Sequence, residues 1–392
     1  PQDELEQDFV FVGLIGLSDP PRAEARESVA KCQQAGIRAI MITGDHELTA
    51  ASIAQTLGLA SDEAVVSGRE LSKMSFDTLK RRVNEVSVFA RVAPADKLQI
   101  DKALQQQDEV VAMTGDGVND APALKQADVG VAMGLNGTDV AKQAANVVLL
   151  DDNFATIVTA VEQGRIVYDN IRKFVKYTMS SNVGEVIVMV IGVTLGAPLP
   201  LLPLQILWVN LVTDGLPGLA LAVEPRERNT MQRPPHALKD AILDKGMMKD
   251  VFFIGSIIGL VSLGLGMLLQ TTKPGTSDFD LDHWRTVIFS ALTFAQMANV
   301  FACRTSDSIF SSSSRILDQP DEEAVDRTNV WLWLAVASTF ILQLAVIYWP
   351  LLQGVFRTTS LTLAQLLICI AASGAVYLVI ELQKWYLSLI HI

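Results

Sequence analysis

"EVVAMTGDGVNDAPALKQADVGVAMG" (residues 109–134) sets two short β-rich runs on either side of a polar turn. "EVVAMTG" and "DVGVAMG" read as strands, and Asp116 stands between them, flanked by Gly115 and Gly117. The same rhythm repeats outward from this stretch. "FVFVGLIGL" (9–17) reads as a strand and "AEARESVAKCQQAG" (23–36) as a helix closed by Gly36. "IRAIMIT" (37–43), "VSVFARV" (86–92) and "NVVLL" (146–150) read as further strands, "LTAASIAQTLGL" (48–59) and "ADKLQIDKALQQQ" (95–107) as helices. Alternation at this spacing predicts βαβ units and a parallel sheet covered on both faces. Ligands bind such sheets at the carboxyl ends of the strands. The polar clusters fall at those ends: Asp19, Thr43-Gly44-Asp45, and Asp116 through Asp120.

The composition divides along the chain. Half of the 392 residues are apolar. The charged residues concentrate before about residue 165, and long apolar blocks follow. A net charge of −12 with no concentrated basic patch argues against nucleic acid as a partner. Cys32, Cys303 and Cys369 are far apart and lack metal or disulfide spacing, so they read as buried or lipid-facing thiols. The chain opens on Pro1 in an acidic stretch, residues 1–8, that reads as the tail of a preceding region of a longer protein. Residues 9–155 then form the α/β domain.

Crossing a hydrocarbon core of about 30 Å takes about 20 helical residues. Six blocks meet that length, near 171–196, 203–223, 251–269, 285–303, 330–350 and 362–383, giving an all-α membrane domain over 171–392. The first is preceded by a basic, proline-free stretch (156–178), which predicts a stalk helix continuing into the bilayer. Arg226, Arg228, Arg233, Lys239, Lys245 and Lys249 place the loop after the second span in the cytoplasm. The uncharged "GAPLPLLP" (196–203) and acidic "PGTSDFDLDHW" (274–284) then lie outside, and the C-terminus returns to the cytoplasmic side with the α/β domain. Trp284, Trp331, Trp349 and Trp385 near span ends suit an aromatic belt, and "SSSS" (311–314) reads as a flexible loop.

Two constellations carry chemistry. In the α/β domain, Asp116 suits Mg²⁺, which takes one or two carboxylates beside phosphate and water. Asn119 and Asp120 follow on the adjacent turn, Thr43 offers a hydroxyl to phosphate, and Lys97 offers an ammonium near a helix start. Singly, each reads as surface or capping chemistry; Asp45, for one, suits the cap of the helix beginning near Leu48. Together they form a phosphoryl-transfer set. The second constellation lies in "LQILWVNLVTDGLPGLALAV" (204–223), where Asp214 costs roughly 2.5–3.5 kcal/mol at mid-bilayer. Asn210, Thr213 and Asp214 share one helical face, as do Asn182 and Glu185 in the span before, and Gln296 and Asn299 in the fourth. Gly215 and Pro217 should break the helix and free carbonyls. Converging oxygens with two carboxylates suit a hard cation, whereas Asn299, Ser180 and Ser181 read equally as helix-to-helix hydrogen bonds.

These residues carry a resemblance. Thr43, Lys97 and Asp116/Asp120 match in order the second, third and fourth motifs of the haloacid-dehalogenase-like superfamily. "DPPR" (19–22), "MITGD" (41–45), "FARVAPADK" (89–97) and "TGDGVNDAPALK" (114–125) resemble the phosphorylation domain of P-type ATPases. "SSNVGE" (180–185) and "WVNLVTDGLP" (208–217) resemble that family's calcium-pump branch. The resemblance implies a Rossmann-like domain, incomplete here, in which Asp116 holds Mg²⁺ and Asn119 and Asp120 organise the phosphoryl site. Asp19, Gly44, Asp45 and Arg91 match positions on the nucleotide's side of that site, which implies ATP. Asn182, Glu185, Asn210, Thr213, Asp214 and Gln296 match positions that hold transported Ca²⁺. Gln296 stands where endoplasmic-reticulum-type pumps have a glutamate, so the lost charge is expected to weaken one of the two ion sites of those pumps. The family's phosphorylated Asp-Lys-Thr-Gly-Thr string does not occur in these residues. That string, the nucleotide-binding and actuator domains and the first four spans are expected in a missing N-terminal half, without which the chain is expected to be inactive. A calcium exporter of the plasma membrane is expected of the parent. A pump for Na⁺/K⁺ or H⁺, and a membrane-anchored phosphatase of the haloacid-dehalogenase type, are the alternatives.

Overall fold

The computed structural model describes residues 10–13, 15, 20–59, 65–227, 229–237, 241–269, 280–305, 308–312 and 329–390. The chain divides into two compact units, Pro1–Val161 with Met231–Leu238, and Glu162–Thr230 with Lys239–Ile392.

The first unit alternates strand and helix: α1 (Ala23–Gln34), β1 (Met41–Ile42), α2 (Glu47–Leu57), β2 (Val66–Ser67), α3 (Gly68–Leu71), α4 (Phe76–Arg82), β3 (Val88–Ala90) and α5 (Pro94–Gln105). It continues through β4 (Ala112–Gly115), a 3₁₀ turn (Val118–Asp120), α6 (Ala121–Gln126), β5 (Val129–Met133), α7 (Asp139–Ala144) and β6 (Val147–Leu149). All pairings are parallel, in two three-stranded sheets ordered β1-β3-β2 and β4-β5-β6. Phe89 and Val66 from one sheet share a core with Met113 and Ala132 from the other. The short loops are closed by local chemistry. Pro94 opens α5, where its missing N–H costs nothing, and the Asp96 carboxylate turns back to accept from the Ala93 amide. Ser67 and Glu70 close a reciprocal capping box on α3. Pro234 packs against Gly36, where a Cβ would lie 2.8 Å from the Pro234 Cα, so the 231–238 segment belongs with this unit.

Two expectations change here. The strand expected over 9–17 is not formed by its described residues 10–13 and 15, which are irregular. Val10, Phe11 and Val12 are exposed; an apolar run becomes a strand only where a neighbouring ladder accepts it, and no described strand pairs with it. The cap of α2 is His46, whose Nδ1 accepts the Leu48 amide, and not Asp45.

The second unit is helical, and among the described residues six helical segments, the first of which begins in the first unit, are long and apolar enough to cross a membrane. These are α8 (Phe154–Thr194), the composite segment Pro203–Leu221, α11 (Lys245–Leu269), α12 (Leu281–Cys303), α14 (Val330–Tyr348) and α16 (Leu363–Ile390). Short helices α13 (Ile309–Ser312) and α15 (Pro350–Phe356) lie between the later ones. The composite segment comprises α9 (Pro203–Trp208), a π-helical stretch (Val209–Thr213) and α10 (Gly215–Leu221). The expected break falls just before Gly215, at the turn residue Asp214, and not at Pro217, through which α10 runs. The irregularity sits one turn earlier, where the Asp214 amide reaches back to the Val209 carbonyl. α12 is enclosed on nearly every face, and its polar side chains, among them Arg285, Thr293, Gln296 and Asn299, are buried with the apolar ones. Trp284 sits on it with no exposed surface, so it is a core residue and not part of an aromatic belt; Trp331, Trp349 and Trp385 are exposed. All three cysteines are free and buried. Ser313 and Ser314 of the serine run, and residues 274–279 of the acidic loop, lie outside the described residues.

Candidate functional site

In the first unit the site grows from the ends of β1 and β4. Thr43 leaves β1 bonded on both sides of its backbone: its amide donates to Phe89 and its carbonyl accepts from Val92. Its hydroxyl accepts the Asp45 amide at 3.1 Å, which shapes the exposed Thr43-Gly44-Asp45 turn. Arg91, in the left-handed region at φ +52°, donates its amide to the Asp45 carbonyl, so both turns are locked to each other. The Gly68 position adjoins them; a Cβ there would fall 2.1 Å from the Arg91 carbonyl oxygen, closer than any side chain permits.

At the end of β4 a single carboxylate organises the loop. Asp120, nearly buried, accepts the Gly117 and Asp116 amides on Oδ2 (3.1 and 3.3 Å) and the Lys97 ammonium on Oδ1 (2.6 Å). Burial works to raise this carboxyl, but Lys97 and the two amides outweigh it and hold it below the usual carboxylate range. Gly115 is required here by crowding: a Cβ would lie 2.5 Å from the Asp120 Cβ. Asp116 and Asn119 are exposed, and the Asp116 carbonyl accepts the Thr138 amide. Among the described residues no group of three or more acidic, histidine or cysteine side chains converges as a metal site. One outward-facing carboxylate is nonetheless what Mg²⁺ requires when phosphate oxygens and water complete its shell, so Asp116 fits that ion while Asp120 is engaged by Lys97. Asp19 lies outside the described residues.

In the second unit, Glu185 is nearly buried and accepts an amide on each oxygen, from Asn210 at 3.1 Å and Gln296 at 3.3 Å. The structure thus joins side chains of α8, the π-helical stretch and α12. Asp214, also buried, accepts the Tyr177 hydroxyl at 3.0 Å. Thr213 Oγ1, Asp214 Oδ2 and Gln296 Oε1 are buried oxygens without a hydrogen-bond partner among the described residues. Unpartnered buried acceptors are costly. Asn182, one turn before Glu185, is half-buried and does not join this hydrogen-bonded group. Asn299 donates to Ser180 at 2.9 Å, a helix-to-helix bond.

Tyr177 escaped the sequence as a member of this site. Its spacing of eight residues from Glu185 places it two turns away on α8, and only the packing of α10 brings Asp214 to its hydroxyl. Asp152 escaped too. Its carboxylate accepts the Gly134, Leu135 and Asn136 amides (2.6, 3.0 and 2.8 Å), fixing the loop that leads to Thr138 and so to Asp116.

These geometries define an α/β phosphate-handling fold joined to a membrane domain with a buried acidic cluster. Residues 198–386 match the family described as cation transporting ATPase, C-terminus; residues 2–128 and 97–161 match haloacid dehalogenase-like hydrolases. Residues 198–386 thus belong with the C-terminal region of cation-transporting ATPases, and the chain is a multi-pass integral membrane protein. Over 373 residues, 95% of the chain, it is 44% identical to the calcium-transporting ATPase of Bacillus subtilis (strain 168), covering 40% of that protein. It is 38% identical over 388 residues to calcium-transporting ATPase 1 of Saccharomyces cerevisiae, with 97% of this chain and 39% of that one aligned. To the endoplasmic reticulum-type calcium-transporting ATPase 4 of Arabidopsis thaliana it is 36% identical over 425 residues, 97% of this chain and 40% of the relative. The chain therefore spans about two-fifths of the length of the relatives it matches.

Proposed function

We propose that the chain is the C-terminal portion of an ATP-driven pump that exports Ca²⁺ through an aspartyl-phosphate cycle. The observation that carries this is the pairing of Glu185 with Asn210 and Gln296 beside Asp214, with buried oxygens left unpartnered around them. A membrane anchor for a phosphatase has no use for two buried carboxylates between its helices. Ca²⁺ takes 6–8 oxygens, and the carboxylates, Thr213, Gln296, Asn210 and Asn182 are the donors proposed for it. Gln296 brings no charge, which favours one ion per cycle.

In the cytoplasmic unit, Lys97 and Thr43 are proposed to hold the transferred phosphoryl group, and Asp120 to set the Lys97 ammonium and the Asp116 turn. Gly44, Asp45 and Arg91 are assigned to the nucleotide's side, with Asp19. Mg²⁺ held at Asp116 would neutralise charge on the phosphoryl oxygens. The nucleophilic aspartate is assigned to the remainder of the parent protein, so this chain alone is expected to be inactive. The basic loop after the second span supports a cytoplasmic side for the α/β unit and the C-terminus, and a plasma membrane of bacterial type is the proposed location.

The test is ATP-dependent Ca²⁺ uptake by the full-length pump in sealed vesicles. Asp214→Asn should abolish uptake while phosphorylation by inorganic phosphate persists. Undiminished uptake by that variant would refute the ion assignment.

A further inference from the structure

Asp101 lies one turn beyond Lys97 on α5, on the same helical face. It is 1% exposed, and its Oδ2 has no hydrogen-bond partner among the described residues. The phosphate chemistry proposed above makes no use of it. Its helix presents Ile100, Ala103 and Leu104 to the core, so the carboxyl is set among apolar neighbours. The charged groups around it are few. Lys97 faces it from α5, and Asp128 from the turn between α6 and β5, where it also accepts the Val111 amide at 2.9 Å. Lys102 on α5 and Lys125 on α6 are exposed and turned to solvent. Among the described residues Lys97 is therefore the nearby cation that acts on Asp101, and its Nζ is already 2.6 Å from Asp120.

We propose that Asp101 is a positioning residue for Lys97: in its acid form it leaves the ammonium to Asp120 and a bound phosphate, and in its ionised form it draws that positive charge back along α5. This rests on the assignment of Lys97 to phosphate. Burial first, and Asp128 second, push the Asp101 carboxyl up to about 7, with Lys97 opposing them. The exchange between the two forms thus falls at neutral pH. One added charge roughly 10 Å from a phosphate, at an effective dielectric constant of 20 to 40, weakens its binding roughly four- to fifteenfold.

The experiment measures inorganic phosphate affinity of the full-length, Ca²⁺-free pump between pH 6 and 8.5, by phosphate-dependent thermal shift and by phosphoenzyme level. Asp101→Asn and Asp101→Val are compared with the parent. Phosphate's own ionisation is common to all three, so the affinity ratio isolates Asp101. Parent and variants should agree at pH 6, and the variants should bind roughly four- to fifteenfold more tightly at pH 8.5. A ratio constant across pH, or variants already weaker at pH 6, overturns the proposal alone. No phosphate effect on any of the three at any pH overturns it together with the assignment of Lys97.

Discussion

Tyr177 and Pro217 meet at one carbonyl oxygen. Pro217 has no amide to offer the Thr213 carbonyl four residues back, and the Tyr177 hydroxyl takes that place at 3.0 Å while also donating toward Asp214. The side chain of one span thus supplies what the backbone of the next lacks, at the residue that carries the intramembrane carboxylate.

Tyr177→Phe should leave the Thr213 carbonyl and one Asp214 oxygen unsatisfied, destabilising the membrane domain by about 1–3 kcal/mol. Pro217→Ala restores an amide that competes for the same carbonyl. The two changes should therefore be non-additive, with a coupling of about 0.5–1.5 kcal/mol in thermal or denaturant unfolding in detergent. Strict additivity would show that they do not share the oxygen.

Gln296→Glu replaces a donor to Glu185 with a third carboxylate beside Glu185 and Asp214. In the absence of cation the variant should melt several degrees lower, because like charges then face one another unneutralised. Added Ca²⁺ should restore more stability to it than to the parent, and equilibrium ⁴⁵Ca²⁺ binding should show whether a second ion enters. An unchanged melting temperature in chelator would contradict the proximity of these groups.

Gly255 and Gly259 let α11 approach the backbone of α8 beside the acidic cluster. A Cβ on Gly255 would lie 2.7 Å from the Ser180 carbonyl oxygen, and one on Gly259 2.8 Å from that of Gly184. Gly259→Val should separate the two helices and cost about 2 kcal/mol or more. It should lower Ca²⁺ affinity as well, since Glu185 follows Gly184. Substitution at Gly264, which has open space around it, is the control and should be near neutral.

The pH dependence of stability has a sign fixed by Asp101. Its carboxyl is raised to about 7 in the folded chain, so the folded state holds a proton that the unfolded state has lost above about pH 4. Stability should therefore fall as pH rises from about 4 through 7 and level off above that. Asp101→Asn removes this loss and should stabilise the protein at pH 8 by roughly 1–3 kcal/mol. Asp120, held low by Lys97, acts oppositely: its contribution is present at neutral pH and disappears only in acid. A Lys97→Met variant should accordingly lose stability at pH 7 but little at pH 3.

α8 runs unbroken from Phe154 to Thr194, carrying both Tyr177 and Glu185. We expect this continuity to couple phosphorylation to ion movement. Two or three glycines inserted near Tyr177 in the full-length pump should leave phosphorylation by ATP intact and abolish transport. Retained transport would exclude a rigid link.

The amino-acid sequence by itself determined much of the α/β alternation, though not β2, α3, α4 or α7, together with the six apolar spans and the residue types at both candidate sites. Those depend on short-range patterning: period two or 3.6, glycine punctuation, and carboxylates where hydrocarbon makes them costly. It could not determine that Val10–Val12 lack a ladder, or that Trp284 is buried, because pairing and burial are properties of the neighbours. Nor could it place the irregular turn at Val209–Thr213 instead of at Pro217, since the Tyr177 hydroxyl lets proline sit inside a continuing helix. The partnership of Glu185 with Asn210 and Gln296 lay beyond it as well: those residues are 25 and 111 positions apart, and only the packing of α12 between its neighbours brings their side chains together.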